Sequence, residues 1–182
     1  MELDMAALQA LLDKDAIRES AFRYTRGTDR HDVELLLAAY HPDATDDHGA
    51  FIGTPEAFSE YVNRVHSTHW VGHHHYVTNQ VIDLDGDSAH SETYFLAVLK
   101  RADGTCDMVG GRYLDKFEKR AGTWAVSDRA CLVEWNVEAR PGEAPVDLDI
   151  FVRGTWDQTD PSYQRPLRVD RPHRDLSLTP TA

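Results

Sequence analysis

Cysteine is scarce in this chain: Cys106 and Cys131 are the only two, and their spacing matches neither a redox nor a zinc motif. Two separate thiols of this kind are expected as buried, unpaired side chains in a reducing cytoplasm. Positive charge is also in deficit, with Lys and Arg numbering 19 against 31 Asp and Glu, a formal net charge of −12. So acidic a surface repels phosphate backbones and anionic lipid headgroups, so neither a nucleic-acid partner nor membrane docking is expected. Long apolar runs are missing as well, which leaves no segment able to span a bilayer. The opening Met1-Glu-Leu-Asp-Met5 has no basic region, so no signal peptide is expected either. Internal repeats and low-complexity stretches are absent.

What remains is an ordinary globular composition, 41% hydrophobic over 182 residues, enough for one domain with a sizeable core. Residues 4–30 read as a helix: Asp4 is a cap candidate, Leu8, Leu11 and Leu12 begin an apolar stripe, and Ile17, Ala21 and Tyr24 continue it. The stripe ends at Gly27-Thr-Asp-Arg-His-Asp32. A short helix over 33–40 follows from Asp32, and then residues 41–48 form a turn leading into a short strand that reaches Phe51. Thr54-Pro55 marks another helix start, with Ala57, Phe58, Tyr61, Val62 and Val65 as its apolar positions.

From Trp70 the pattern changes to long strands, 70–84, 88–100, 105–119 and 123–136, separated by the turns Asp85-Gly-Asp87, Arg101-Ala-Asp-Gly104 and Arg120-Ala-Gly122. Helices followed by such a meander predict an α+β fold, a strongly bent antiparallel sheet whose N-terminal helices close a cone-shaped pocket. Residues 1–140 make up this body. Residues 141–182 form a tail that holds six of the eight prolines. In it Pro141–Pro145 reads as a loop, while Leu148, Ile150, Phe151, Val152 and Trp156 are candidates to dock on the body. The turn-rich segment Gly154–Tyr163 is expected over the pocket or on a neighbouring subunit, and little order is expected beyond Arg168.

The stretch Trp70-Val-Gly-His-His-His-Tyr-Val-Thr-Asn79 places three histidines in the first long strand. Strand alternation puts His73, His75, Val77 and Asn79 on one face and His74 on the other. Two histidines on a face are too few for a metal, and a third ligand would have to come from His48, His66, His69 or Asp29, so no metal is expected. His31, His41, His90 and His173 read as turn or surface residues.

Taken together, Tyr24-x4-Asp29, His75-x3-Asn79, Gly86-Asp87, Gly110-Gly-Arg-Tyr113 and Gly122-Thr-Trp124 resemble the SnoaL-like branch of the nuclear-transport-factor-2-like cone fold over roughly residues 5–136. Scytalone dehydratase, bile acid 7α-dehydratase and hexachlorocyclohexane dehydrochlorinase belong to that broad group. The resemblance implies a catalytic dyad of Asp29 and His75, with Tyr24 at the position of the bile acid enzyme's tyrosine. One departure is that scytalone dehydratase carries a second histidine in the next strand, where this chain has Thr93, Phe95, Ala97 or Leu99.

The implied chemistry is sound for these residue types. Imidazole takes and returns protons near neutral pH, and a carboxylate on its other nitrogen holds the tautomer and stabilises the imidazolium. A carboxylate at a helix C-terminus gains further from a cationic partner. The expected function is therefore a cofactor-independent lyase, a dehydratase or eliminase acting on an apolar ring-containing small molecule. His75 is the general base, Asp29 its orienting partner and Tyr24 a hydrogen-bond donor. Tyr40, Phe58, His73, Asn79, Arg112 and Trp135 are expected as substrate contacts. An isomerase or polyketide cyclase would use the same dyad, and a ligand-binding or assembly module of the same fold would use none of it. The resemblance implies a homotrimer, with a homodimer as the alternative.

Overall fold

A computed structural model describes residues 4–142 and 150–172. Helix α1 spans Met5–Asp29, and the Asp4 carboxylate caps it by accepting from the N–H groups of Ala6 and Ala7. Only its C-terminal half is buried, through Ile17, Ala21, Tyr24 and Thr28, while Leu8, Leu11 and Leu12 remain exposed. Helix α2, Val33–Leu37, is capped by Asp32 and stops three residues short of the expected end. The cause is that Tyr40 already belongs to strand β1, Tyr40–Asp47, so the expected turn at 41–48 is instead a strand. Pro42 has no N–H to give a ladder, and the pairing of β1 is irregular between Tyr40 and Thr45.

Strand β2, Ile52–Gly53, pairs antiparallel with β1. Helix α3, Pro55–His69, starts from the Thr54 cap with proline in its first turn. Its buried line is Phe58, Ser59, Val62 and His66, whereas Ala57 is exposed. The long strands are β3 (Gly72–Asp85), β4 (Ser88–Lys100), β5 (Cys106–Arg120) and β6 (Thr123–Ala139). The β5–β6 hairpin closes with Arg120 opposite Thr123, leaving Ala121 and Gly122 in the turn at φ 50° and 83°. Positive φ at both positions is the two-residue turn whose twist matches the strands it joins.

The six strands form one curved, unclosed sheet in the order β2-β1-β6-β5-β4-β3, and the fold is the expected α+β cone. All neighbours are antiparallel except β1 and β6, which run parallel. Inward positions of β4 (Ala89, Ser91, Thr93, Phe95, Ala97, Leu99) alternate with more exposed ones, so the strand has one buried face. Against that face pack Tyr24, Phe58, Tyr113 and Phe117.

Bulges change what alternation alone would give, and two of them bear on expected site residues. In β3 the pairing passes from Val77 opposite Phe95 to Gln80 opposite Thr93, one extra residue. In β6 it passes from Val133 opposite Gly111 to Trp135 opposite Gly110, again one extra. Each added residue turns the following side chain to the other face.

Among the described residues no helix is long and apolar enough to cross a membrane, and both cysteines are free. Of the tail, Phe151 and Val152 are exposed, but residues 154–163 dock on their own chain at the α1–α2 corner. There Tyr163 donates to Asp32 at 2.6 Å, and Asp160 is ion-paired with Arg30 at 3.4 Å. The expected loop through Pro145, the docking of Leu148, the position of His173 and the expected loss of order from 173 onward lie outside the described residues.

Candidate active site

Asp29 is the last residue of α1 and His75 the fourth residue of β3, and the fold joins them. One Asp29 oxygen accepts from the His75 ring at 2.7 Å, and the carboxylate also accepts the His75 backbone N–H at 2.9 and 3.1 Å. A carboxylate only accepts, so the bonded Nδ1 carries a proton, and in the neutral ring Nε2 is the nitrogen with the lone pair. His75 lines a cavity of about 140 Å³ together with Tyr24, His48, Phe58, Phe95, Leu99, Val109 and Tyr113. That volume is close to the roughly 150 Å³ that admits a benzene ring.

A second Asp–His pair borders the same cavity, and sequence reading missed it. His48 Nδ1 is hydrogen-bonded to Asp46, and its Nε2 lies 3.2 Å from the Tyr24 hydroxyl. Asp46 is fully buried and accepts from Tyr40 at 2.6 Å. Arg129, also buried, donates to the Tyr40 hydroxyl at 3.0 Å and makes a two-pronged pair with Asp115 at 2.7 and 2.8 Å. Its guanidinium lies 4.1 Å from the Tyr24 ring centroid and 4.4 Å from that of Tyr113. Burial pushes the Tyr24 hydroxyl well above the usual tyrosine range although Arg129 opposes it, so Tyr24 is a neutral donor. A signal existed: Asp46 and His48 are two apart, which puts them on one face of a strand. Reading 41–48 as a turn hid it.

The other expected contacts divide. Phe58 lines the cavity. Tyr40 does not: it is buried behind Tyr24, edge-on at 6.0 Å, and serves the Asp46 network. His73 faces inward but lies beside the cavity wall, its Nε2–H donating to the Thr28 carbonyl at 3.0 Å. Asn79 is exposed because the β3 bulge turns it outward. Trp135 is half-exposed, because the β6 bulge sets it outward over Gly110, where a Cβ would lie 2.1 Å from the indole. Arg112 also lies outward, held by Glu134 at 2.9 Å and Glu92 at 3.0 Å. It pairs with surface carboxylates instead of lining the cavity.

His41 and His66 are buried and His31 half-buried, whereas His74 and His90 are exposed. His66 continues the α3 line Phe58–Val62 at helical spacing, a signal present in the sequence. Burial, the larger cause, together with the neighbouring imidazoles, lowers His66 to about 2, and burial lowers His73 to about 4. Both are neutral at neutral pH. A larger groove of about 590 Å³ crosses the exposed face of the sheet past Val81, Asp83, His90, Leu114 and Asp128, remote from the Asp29–His75 pair.

A model of the SnoaL-like domain matches residues 9–130. No curated protein matches the chain. Among solved structures, a candidate scytalone dehydratase from Novosphingobium aromaticivorans is 22% identical with a TM-score of 0.64, the match covering 74% of this chain and 93% of that one. The type-3 hexachlorocyclohexane dehydrochlorinase of Novosphingobium barchaimii is 20% identical with a TM-score of 0.67, over 73% of this chain and 94% of that one. A Nostoc punctiforme protein of unknown function with a cystatin-like fold is 27% identical with a TM-score of 0.59, over 68% and 92%. The shared feature is the fold.

Proposed function

The chain belongs to the SnoaL-like domain family, and from that premise we propose that it is a cofactor-independent lyase, a dehydratase or eliminase acting on an apolar substrate built on a single ring. The observation that carries this reading is the Asp29–His75 pair at 2.7 Å on the wall of a ring-sized cavity. His75 Nε2 takes a proton from a carbon activated by a neighbouring carbonyl or ring. Asp29 stabilises the imidazolium through Nδ1–H, and the β leaving group departs as the double bond forms. Tyr24, kept neutral by burial, donates a hydrogen bond to the leaving atom. In its imidazolium form His48 keeps Nδ1–H on Asp46 and directs Nε2–H at the Tyr24 oxygen, which frees the Tyr24 O–H for the leaving atom; that O–H proton departs with a leaving hydroxyl, and Nε2–H replaces it on Tyr24. The apolar wall of Phe58, Phe95, Leu99 and Val109 excludes water and selects a hydrocarbon ring. The likeness to structures described as a dehydratase and a dehydrochlorinase supports an elimination.

The test is incubation in deuterated buffer with a panel of monocyclic β-hydroxy and β-halo carbonyl compounds, followed by absorbance of the conjugated alkene and by mass spectrometry. Alkene formation that is lost in His75→Gln supports the lyase. Deuterium uptake without elimination moves the assignment to an isomerase or cyclase. Saturable binding with neither exchange nor turnover moves it to a ligand-binding module. We also propose a homotrimer, with a homodimer as the alternative, resident in the cytoplasm. Tyr76, Val81, Tyr94 and Leu114 on the sheet and Leu11 and Leu12 on α1 are exposed apolar surface available for such contact. Sedimentation equilibrium distinguishes the two assemblies.

A further inference from the structure

His31, His66 and His73 each bring a ring nitrogen within 4.8 Å of the other two. They come from three parts of the fold: the three-residue link between α1 and α2, the last turn of α3 and the start of β3. His31 lies in the left-handed backbone region, φ 50°, which non-glycine residues seldom adopt. Its ring stacks on Trp156 of the docked tail at 4.5 Å, and the same indole lies 4.9 Å from the His73 ring. Two of the three rings therefore lie against Trp156, and His66 joins them through His73, 4.2 Å away.

The nitrogens are unusual in what they lack. His31 Nε2, His66 Nδ1 and His73 Nδ1 are all buried without a hydrogen-bond partner. A buried polar atom left unpaired costs about 1–3 kcal/mol, and most are paired. Three such atoms from one cluster call for a common partner. His73 shows which kind: its Nε2–H donates to the Thr28 carbonyl at 3.0 Å, which leaves Nδ1 as a bare lone pair. A metal-bound histidine characteristically donates its second ring nitrogen to a carbonyl or carboxylate in this way.

We propose that His31, His66 and His73 form a binding site for a divalent transition metal of the zinc type, with water as the fourth ligand and Trp156 as its cover. Neutral imidazole is the donor such ions take, and three histidines leave one position open. A tetrahedral zinc with bonds of about 2.0–2.1 Å holds its nitrogens roughly 3.3 Å apart, so the widest pair closes by at most about 1.5 Å. The alternative set Asp29, His73 and His75 also lies within 4.8 Å. It is disfavoured because its carboxylate is already committed, Asp29 accepting from both the ring and the backbone N–H of His75. The site joins the α1–α2 corner, α3 and β3, and a bound ion would hold all three beside the Asp29–His75 pair.

Calorimetric titration of chelator-treated protein with zinc chloride tests this independently of any lyase activity. The wild type should bind one equivalent, and cobalt in its place should show the visible bands of a tetrahedral site. His31→Ala, at the half-buried end of the cluster, and His66→Gln should each weaken binding by at least about 100-fold, beyond the 10- to 100-fold cost of losing an outer partner. His75→Gln and His74→Ala should bind within a few-fold of wild type. Circular dichroism checks that each variant is folded. No saturable binding by the wild type, unchanged binding by His31→Ala, or loss of binding in His75→Gln each overturns the assignment.

Discussion

Asp29 receives both the backbone N–H and the ring Nδ1–H of His75, at 2.9–3.1 Å and 2.7 Å. One carboxylate thereby sets the strand position and the tautomer of the imidazole together, across 46 positions of sequence. Asp29→Asn keeps the size of the side chain but offers the ring one acceptor oxygen at most, and no charge to stabilise an imidazolium. We expect kcat to fall by about 10²- to 10⁴-fold with the circular dichroism spectrum unchanged. Activity above a tenth of wild type would remove Asp29 from the mechanism.

His48 faces the same cavity through Tyr24. His48→Gln should lower kcat on the order of 100-fold with little change in KM, because the leaving group loses its proton source and the ring wall is kept. Tyr24→Phe should act in the same direction, and the double variant should cost little more than either single one. Fully additive losses would show that the two residues do not act as a unit.

Gly27 stands two residues before Asp29 where α1 meets α2. A Cβ there would lie 2.5 Å from the Leu36 backbone nitrogen and 2.8 Å from its Cα. Backbone cannot yield as a flexible side chain does, so Gly27→Ala should destabilise the protein by about 2–3 kcal/mol. Thermal denaturation should then read a Tm lower by about 4–12 °C. An unchanged Tm would mean that the corner opens freely.

Cys131 lines the cavity, and burial pushes its thiol up to about 12. Its thiolate fraction at pH 8 is then about 10³-fold below that of an ordinary cysteine. Iodoacetamide should leave Cys131 unmodified in the native protein and label it after denaturation, as read by peptide mass spectrometry. Rapid native labelling would show that the cavity is open and wet.

Burial raises the Asp160 carboxyl, but the hydrogen bonds from Ser162 and Thr155 and the Arg30 charge outweigh it and hold it at about 2. Its folded pKa is depressed below an unfolded value near 3.9, so its contribution is full above about pH 4 and lost as pH falls towards 2. The contribution is on the order of 2 kcal/mol. Hydrogen exchange over residues 150–172 should accelerate in the wild type across that interval. In Asp160→Asn it should be fast already at pH 7, with no acid step. A variant as protected as wild type would show that the tail docks without this carboxylate.

Local chemistry made much of this molecule readable. Asp4, Asp32 and Thr54 cap the three helices because a short acceptor side chain satisfies free N–H groups whatever lies beyond. The hairpin turns and the four long strands followed from turn residues and period-two patterning, and the Asp29–His75 pairing from resemblance. Asn79 and Trp135 were misplaced because each lies at a bulge, where one inserted residue reverses the alternation of faces.

The sequence by itself determined the helix starts, the four long strands with their turns and the residue types available for proton transfer, since these rest on interactions within a few residues. Only the tertiary structure decided that Tyr24 meets His48 and that Arg129 sits under their tyrosines. It alone brought His31, a turn residue by sequence, against both Trp156 and His73. Those meetings depend on how a curved sheet sets distant strands and a returning tail against one helix end, and no local pattern carries that distance.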